Sequence, residues 1–351
     1  MLFVLEHIGN LSELASREGY EHADLETVEG VLDEAARFME EQLVPLNQKG
    51  DQEGLVVENG QIFHPDGFAD AYERFVEAGW NGIALGEAHG GGGMPWCVGL
   101  AVQEMMTAAN MAFSLCPLLT QGAIDAISHH ASETLQEIYL PKMISGEWSG
   151  TMNLTEPQAG SDVGALTSKA LPAGDGTWLI SGTKIFITYG EHELSENIIH
   201  LVLARTPDAP PGTKGISLFL VPKYLVNDDG SLGERNDLRV VSSEHKIGIH
   251  ASPTCVMSYG DESGAVGWMV GEENTGMRAM FTMMNNARLS VGLQGLSLTD
   301  RSYQQARQYS LDRKQGKAIG ADLEAGESSA IADHVDVRRM LMTMRANAEA
   351  M

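Results

Sequence analysis

The stretch Met152-Asn153-Leu154-Thr155-Glu156-Pro157-Gln158-Ala159-Gly160-Ser161-Asp162 decides how the rest of the chain is read. A strand-like run over 150–155 enters Thr-Glu-Pro, and Pro157 steers Glu156 away from helix. A glycine and two short polar residues follow. The segment therefore reads as a fixed loop with hydroxyls at Thr155 and Ser161 and a bare backbone amide near Gly160. Such a loop can take a flat heteroaromatic ring and a pyrophosphate through N–H and O–H donors. It can equally be an Asx/Ser-type turn that only closes a strand.

Downstream lies Gly182-Thr183-Lys184-Ile185-Phe186-Ile187-Thr188-Tyr189-Gly190. Period-2 alternation puts Lys184, Phe186 and Thr188 on one face and Ile185 and Ile187 on the other. Phe186 beside a hydroxyl suits stacking on a ring, or burial under a neighbouring helix. Ser181-Gly182 reads as a tight hairpin between runs at 177–180 and 184–189. Further strand-like runs at 198–204, 216–221, 238–241 and 254–258, separated by Gly, Pro, Asn and Asp, predict an antiparallel sandwich or barrel.

Upstream the pattern is helical. Asp24 or Thr27 can cap a run in which Val28, Val31, Leu32, Ala35, Phe38 and Met39 recur at helical spacing. More helices are predicted over 67–78, 97–111, 119–130 and 132–144. The run Gly90-Gly91-Gly92-Gly93 has neither a preceding strand nor a GK[ST] ending, so it reads as a connector rather than a phosphate cradle. Helix returns after residue 274, where Met277, Met280, Phe281, Met284, Ala287, Val291 and Gly295 form a core stripe. Arg288 falls on or beside that stripe and there needs an anionic partner, from the protein or from a ligand. A break around 316–327 precedes a last helix over 329–351, whose apolar stripe nothing that follows covers. The basic cluster Leu311-Asp312-Arg313-Lys314-Gln315-Gly316-Lys317 either complements a helix dipole or meets a phosphate, on a neighbouring subunit for instance.

The 351 residues include 23 Lys+Arg against 48 Asp+Glu, for a net charge of −25. That charge argues against nucleic acid or an anionic membrane surface as a partner. Cys97, Cys116 and Cys255 are too few and too far apart for a disulfide framework or a CxxC metal site, so no metal is expected. The start, MLFVLEHIGN, lacks a basic n-region, and no stretch is expected to reach the length of a membrane span. A cytoplasmic protein is expected.

Together and in this order, TEPQAGSD at 155–162, GTKIFITYG at 182–190 and DRKQGK at 312–317 resemble the acyl-CoA dehydrogenase family. The stretch PKYLVNDDGSLGERNDLRVVSSEHKIGIHASPTC at 222–255 is similar to its long-form branch, described as 3-methylmercaptopropionyl-CoA dehydrogenases. The resemblance implies an α+β multidomain fold. A helical N-terminal domain (1–148), an antiparallel β-domain (149–272) and the start of a C-terminal helical bundle (273–351) would hold FAD. By the same resemblance Met152, Leu154 and Thr155 line the flavin ring, with the Thr155 hydroxyl near its redox edge. Gly160 and Ser161 lie near the pyrophosphate and the entrance for CoA. Phe186, where many members carry tryptophan, and Thr188 flank the isoalloxazine. Arg313 and Gln315 reach the FAD of a partner subunit, and Arg288 lies near the substrate end.

The implied reaction is FAD-dependent α,β-dehydrogenation of an acyl-CoA to the 2-enoyl-CoA, with electrons passed to an electron-transfer flavoprotein by a homodimer or homotetramer. An acyl-CoA oxidase-like enzyme and a non-catalytic flavoprotein of the same fold share these motifs. The sequence departs from the family at the base. Most members place the catalytic glutamate in later helices, and a minority place it just before the arginine, where this chain has Ala287. Glu272 and Glu273 match no catalytic position. The chain is therefore expected to be a portion of a longer enzyme.

Overall fold

Asp24 opens the first long helix by accepting a hydrogen bond from the Thr27 amide at 3.0 Å, and Val28, Leu32, Ala35 and Phe38 turn inward behind it. The computed structural model describes residues 1–227 and 229–351. Its N-terminal part runs α1 (Leu2–His7), α2 (Leu11–Ala15), α3 (Leu25–Phe38), a π turn (Met39–Leu43) and α4 (Val44–Glu53). The hairpin β1 (Val56–Glu58) and β2 (Gln61–Phe63) follows, then α5 (Phe68–Glu77), α6 (Trp96–Ala109), α7 (Met111–His130) and α8 (Glu133–Ser145). Asn110 and Ser132 cap α7 and α8 by accepting from the Phe113 and Leu135 amides. Those are N–H groups that no helix carbonyl can reach. Contrary to expectation, α7 is long and apolar enough to cross a membrane, but 72% of its most apolar window is buried inside the protein. A helix that is apolar on every side is what a core position demands.

The sheet comprises β3 (Trp148–Asn153), β4 (Lys169–Pro172), β5 (Trp178–Thr188), β6 (Asn197–Ala204) and β7 (Ser217–Pro222). After a side hairpin of β8 (Tyr224–Val226) and β9 (Leu232–Arg235) come β10 (Leu238–Ser243), β11 (Thr254–Tyr259) and β12 (Ala265–Val270). The order is β10-β11-β5-β12-β7-β6-β3, with β4 also on β5. Pairing is antiparallel except at one edge, where β3 and β6 run parallel. The all-antiparallel expectation fails there because β3 meets β6 only after the chain has made β4 and β5, a crossover that brings the strands together in the same direction. Every residue of β6 and β7 is buried. One face of the sheet packs into a core shared with α7, α8 and the start of the next helix, and strand residues including Ile180, Ile187, Val202, Phe219, Val240 and Met257 form a second buried cluster among themselves.

The predicted hairpin at Ser181-Gly182 does not form. Residues 178–188 make one strand that changes partners at Gly182, from β4 and β12 to β11. Gly182 has φ +145°, and a Cβ there would collide with Ser168 Oγ. The glycine that looks like a turn is a switch between two parts of the sheet.

Beyond the sheet, α9 (Gly276–Asp312) is followed by α10 (Val335–Ala350). The last helix starts later than residue 329 because Ser329 and Ala330 pair with the 314–318 segment. Gln315 N–H donates to Ser329 O at 2.9 Å, and Ala318 N–H donates to Ser329 Oγ at 3.0 Å. The chain forms two compact units, Met1–Ser290 and Val291–Met351. Replacing Gly182 by alanine is expected to lower stability by about 1–3 kcal/mol. Denaturant unfolding checks this, and a variant as stable as the parent would contradict the switch.

Candidate functional site

The site begins at a β-bulge. Lys184 pairs with Met257 and Ile187 with Cys255, so Ile185 and Phe186 together face the single residue Val256. One extra residue breaks the alternation read from the sequence. Lys184 and Ile187 are both buried, whereas Phe186 stands 58% exposed. The expected common face of Lys184, Phe186 and Thr188 is therefore corrected. Phe186 holds φ +60°, a left-handed conformation that is costly for an aromatic residue and marks stored strain. The bulge also frees the Ile185 N–H, which donates to Thr155 O at 2.9 Å instead of crossing to β11. Farther along, the Tyr189 hydroxyl donates to Ala112 O at 2.7 Å and fixes the end of β5 against α7.

Beneath the bulge Lys184 Nζ lies 2.8 Å from Glu156 Oε1 and donates to Leu154 O at 3.1 Å. The lysine side chain is 0% exposed and the glutamate 2%. Glu156 also accepts from the Thr167 amide (2.7 Å), the Thr167 hydroxyl (3.0 Å), the Ser168 amide (3.1 Å) and Gln158 Nε2 (2.6 Å). Burial alone would raise the Glu156 pKa, but the Lys184 charge and these donors outweigh it and hold the carboxyl at about 2. Burial lowers Lys184 to about 8 against the pull of Glu156, so both groups are ionised at neutral pH. One carboxylate thus closes the loop that runs from 156 to 168 and ties it to β5.

Met152, Leu154, Thr155 and Thr188 are half-buried, while Gly160 and Ser161 are exposed at the tip of that loop. The structure ties Thr155 and Glu156, at the start of the loop, to Ile185 and Lys184, just before Phe186. The backbone N–H groups of Gly160, Ser161 and Asp162 donate to nothing among the described residues. A Cβ at Gly160 would meet nothing within 4 Å. The contrast with the other glycine run is sharp. The amides of Gly90, Gly91, Gly92, Gly93 and Met94 are all spent on backbone carbonyls, which settles that run as a connector.

Arg288 corrects a second expectation. It is exposed rather than buried, donating to Asn285 Oδ1 at 2.8 Å with its guanidinium 5.3 Å from the Phe281 ring. The buried residues of this turn are Ala279, Met280 and Met283, so the arginine lies off the inward face. Ala287 is half-buried, and Glu272 and Glu273 are exposed just before α9. Arg313 and Gln315 belong to the second unit, both exposed, with Ile331 N–H donating to Arg313 O at 2.8 Å and His334 Nε2 2.8 Å from Gln315 O. Among the described residues no cluster of three or more His, Cys, Asp or Glu could hold a metal.

The sequence reading missed Glu156 and Lys184 as a pair, and it missed a cavity of about 620 Å³ lined by Trp96, Gln121, Asp125, His129, Asn286 and Leu289 among others. Burial raises the Asp125 pKa against the opposing pull of His129 and His130. None of the residues singled out from the sequence lines this cavity.

Two families match the chain in tandem: acyl-CoA dehydrogenase, N-terminal domain, over residues 26–147, and acyl-CoA dehydrogenase, middle domain, over residues 151–261. The chain belongs to the acyl-CoA dehydrogenase family. The 3-methylmercaptopropionyl-CoA dehydrogenase of Ruegeria pomeroyi is 49% identical over 99% of this chain and 58% of its own length. A butyryl-CoA dehydrogenase of Syntrophomonas wolfei is 38% identical over 97% of this chain and 57% of its own length. The chain thus spans less than three fifths of these relatives. Among solved structures, an acyl-CoA dehydrogenase complexed with FAD from Bacillus anthracis superposes with a TM-score of 0.72 at 21% identity, covering 92% of this chain and 48% of that one. The acyl-CoA dehydrogenase fold is thereby shown, with its helical domain, its sheet and the first of its C-terminal helices.

Removing either member of the buried pair leaves the other charge uncompensated. Glu156→Gln and Lys184→Met are each expected to cost about 3–5 kcal/mol of stability. The double variant should lose clearly less than the sum, because its partners no longer face a bare charge. Denaturant unfolding of the four proteins checks this; strict additivity would contradict the coupling.

Proposed function

We propose that the 152–161 loop and the bulged 186–188 segment hold FAD, and that the complete protein dehydrogenates an acyl-CoA at its α,β bond. The observation that carries this reading is a single geometry. Unspent amides at Gly160 and Ser161, half-buried Met152, Leu154 and Thr155, and exposed Phe186 are fixed to one another by Glu156 and Lys184. These groups suit the two ends of such a cofactor. The free amides and the open space at Gly160 fit a pyrophosphate, and the apolar residues with the Thr155 and Thr188 hydroxyls fit a ring that is flat and polar at its edge. Arg313 and Gln315 would reach the FAD of a second copy in a homodimer or homotetramer, and Arg288 would act toward the substrate.

When bound, FAD supplies the acceptor for the hydride that leaves the β-carbon. The chain contributes orientation. Thr155 and Thr188 would hydrogen-bond the ring, and Phe186 would cover it while facing solvent. A polar site prepared in advance of the substrate stabilises developing enolate charge without reorganising. Position 287 is alanine, so the helix that bears Arg288 supplies no base there.

Identity to the Ruegeria pomeroyi relative makes 3-methylmercaptopropionyl-CoA the first substrate to try, with short fatty acyl-CoAs next. Exposed Phe186 fits electron exit to an electron-transfer flavoprotein, by single electrons through an aromatic edge at the surface. We also propose a division into 1–148, 149–272 and 273–351, and a cytoplasmic location. The test is made on the product of the complete gene. The protein is expected to carry a flavin spectrum and to bleach anaerobically on adding 3-methylmercaptopropionyl-CoA. A protein that stays colourless after incubation with FAD would overturn the reading.

A further inference from the structure

Arg205, the residue after β6, is used in an unusual way. Nε donates to Leu166 O at 3.0 Å, Nη1 to Pro210 O at 3.0 Å and Gly215 O at 3.4 Å, and Nη2 to Gly164 O at 2.5 Å and Gly212 O at 2.8 Å. Its own backbone joins the same place, since Arg205 N–H donates to Ser168 O and its carbonyl accepts from Ala170 N–H. All five acceptors are main-chain carbonyls, and none of the described ion pairs involves Arg205. The full donor fork of a guanidinium is spent on backbone rather than on a carboxylate.

Those carbonyls belong to two loops. Gly164 and Leu166 follow directly on the Gly160-Ser161-Asp162 tip, while Pro210, Gly212 and Gly215 belong to the connection between β6 and β7. The loops touch closely. A Cβ on Gly164 would lie 3.3 Å from the Gly212 Cα, and one on Gly215 would overlap Pro210 O. A loop as short as 156–168 is thus clamped twice. Glu156 closes its base from within, and Arg205 holds the outgoing limb against a second loop. The tip between the clamps keeps its three amides unspent.

We infer that Arg205 is the positioning residue of the anion-binding tip: by binding the carbonyls of residues 164, 166, 210, 212 and 215 it engages those oxygens and holds the limb that leaves the tip, so that the unspent tip amides stay in place for the FAD pyrophosphate. This rests on the FAD reading above. The physical point is one of sign. These loops present fewer N–H than C=O groups, since Pro157, Pro210 and Pro211 have no N–H, and a phosphate is favoured only where the carbonyls are drawn elsewhere. In a chain of net charge −25 the tip has no help from the overall field. Lysine cannot replace the fork, because an ammonium has three donors on one atom and cannot span two loops.

The test uses the whole chain carrying R205K and R205Q. FAD affinity is read by flavin fluorescence, and amide hydrogen exchange is read on the flavin-free protein. Both variants are expected to bind FAD about tenfold more weakly. Amides 160–166 should exchange faster in both, while those of β7 keep the parent's rates. Affinities within about twofold of the parent, or full rescue by R205K, would overturn the positioning role. If the arginine variants fail to fold, G164A parts the two loops without touching the guanidinium and should weaken FAD to a similar degree; unchanged affinity there overturns the proposal. A parent protein that binds no flavin overturns the FAD reading itself, and the exchange rates still report whether Arg205 orders the loop.

Discussion

The Lys184–Glu156 ion pair is the constraint on which the rest of the site depends. Two ions sealed from water carry a large desolvation cost, and mutual attraction repays it only when the remaining donors and acceptors are also satisfied. Here they are, through Thr167, Ser168, Gln158 and Leu154. Apolar residues in those positions would pack as well but would fix no register between loop and strand. The pair does fix it: the loop base cannot slide along β5 without stranding a charge.

From that register the other features follow. With Lys184 turned inward, the bulge at Ile185 and Phe186 sends one amide to Thr155 and one ring outward. The left-handed Phe186 backbone is tolerated because a buried lysine before it and a buried isoleucine after it determine the path. The loop tip is held by the two clamps and by the Glu156–Ala159 and Ala165–Asp162 backbone bonds, none of which uses the amides of Gly160, Ser161 and Asp162, and these are left for a ligand.

Much of this was legible from residue types. Asp24 and the spacing of Val28, Leu32 and Ala35 give the first long helix, and the Thr-Glu-Pro break gives the loop after β3. The common neighbourhood of Thr155 and Phe186 came through resemblance rather than through periodicity. The errors have physical causes. Alternation mis-assigned Phe186 because a bulge is visible only when the partner strand is known. Ser-Gly at 181–182 carries the same letters whether it turns a hairpin or lets one strand change partners. Arg288 reads as near the core because it falls within the arc of Met277, Met280, Phe281 and Met284, but the structure turns a neighbouring face of the helix inward, burying Ala279, Met280, Met283 and Ser290 while exposing Phe281. The carbonyl set of Arg205 is main chain and has no signature in side-chain pattern at all.

A crystal structure of the protein grown with FAD tests the central claim most directly. The isoalloxazine is expected between the 152–155 segment and Phe186, the pyrophosphate on the amides of Gly160 and Ser161, and the Lys184–Glu156 contact intact. Flavin bound elsewhere, or a ligand that enters only by breaking that ion pair, would contradict it.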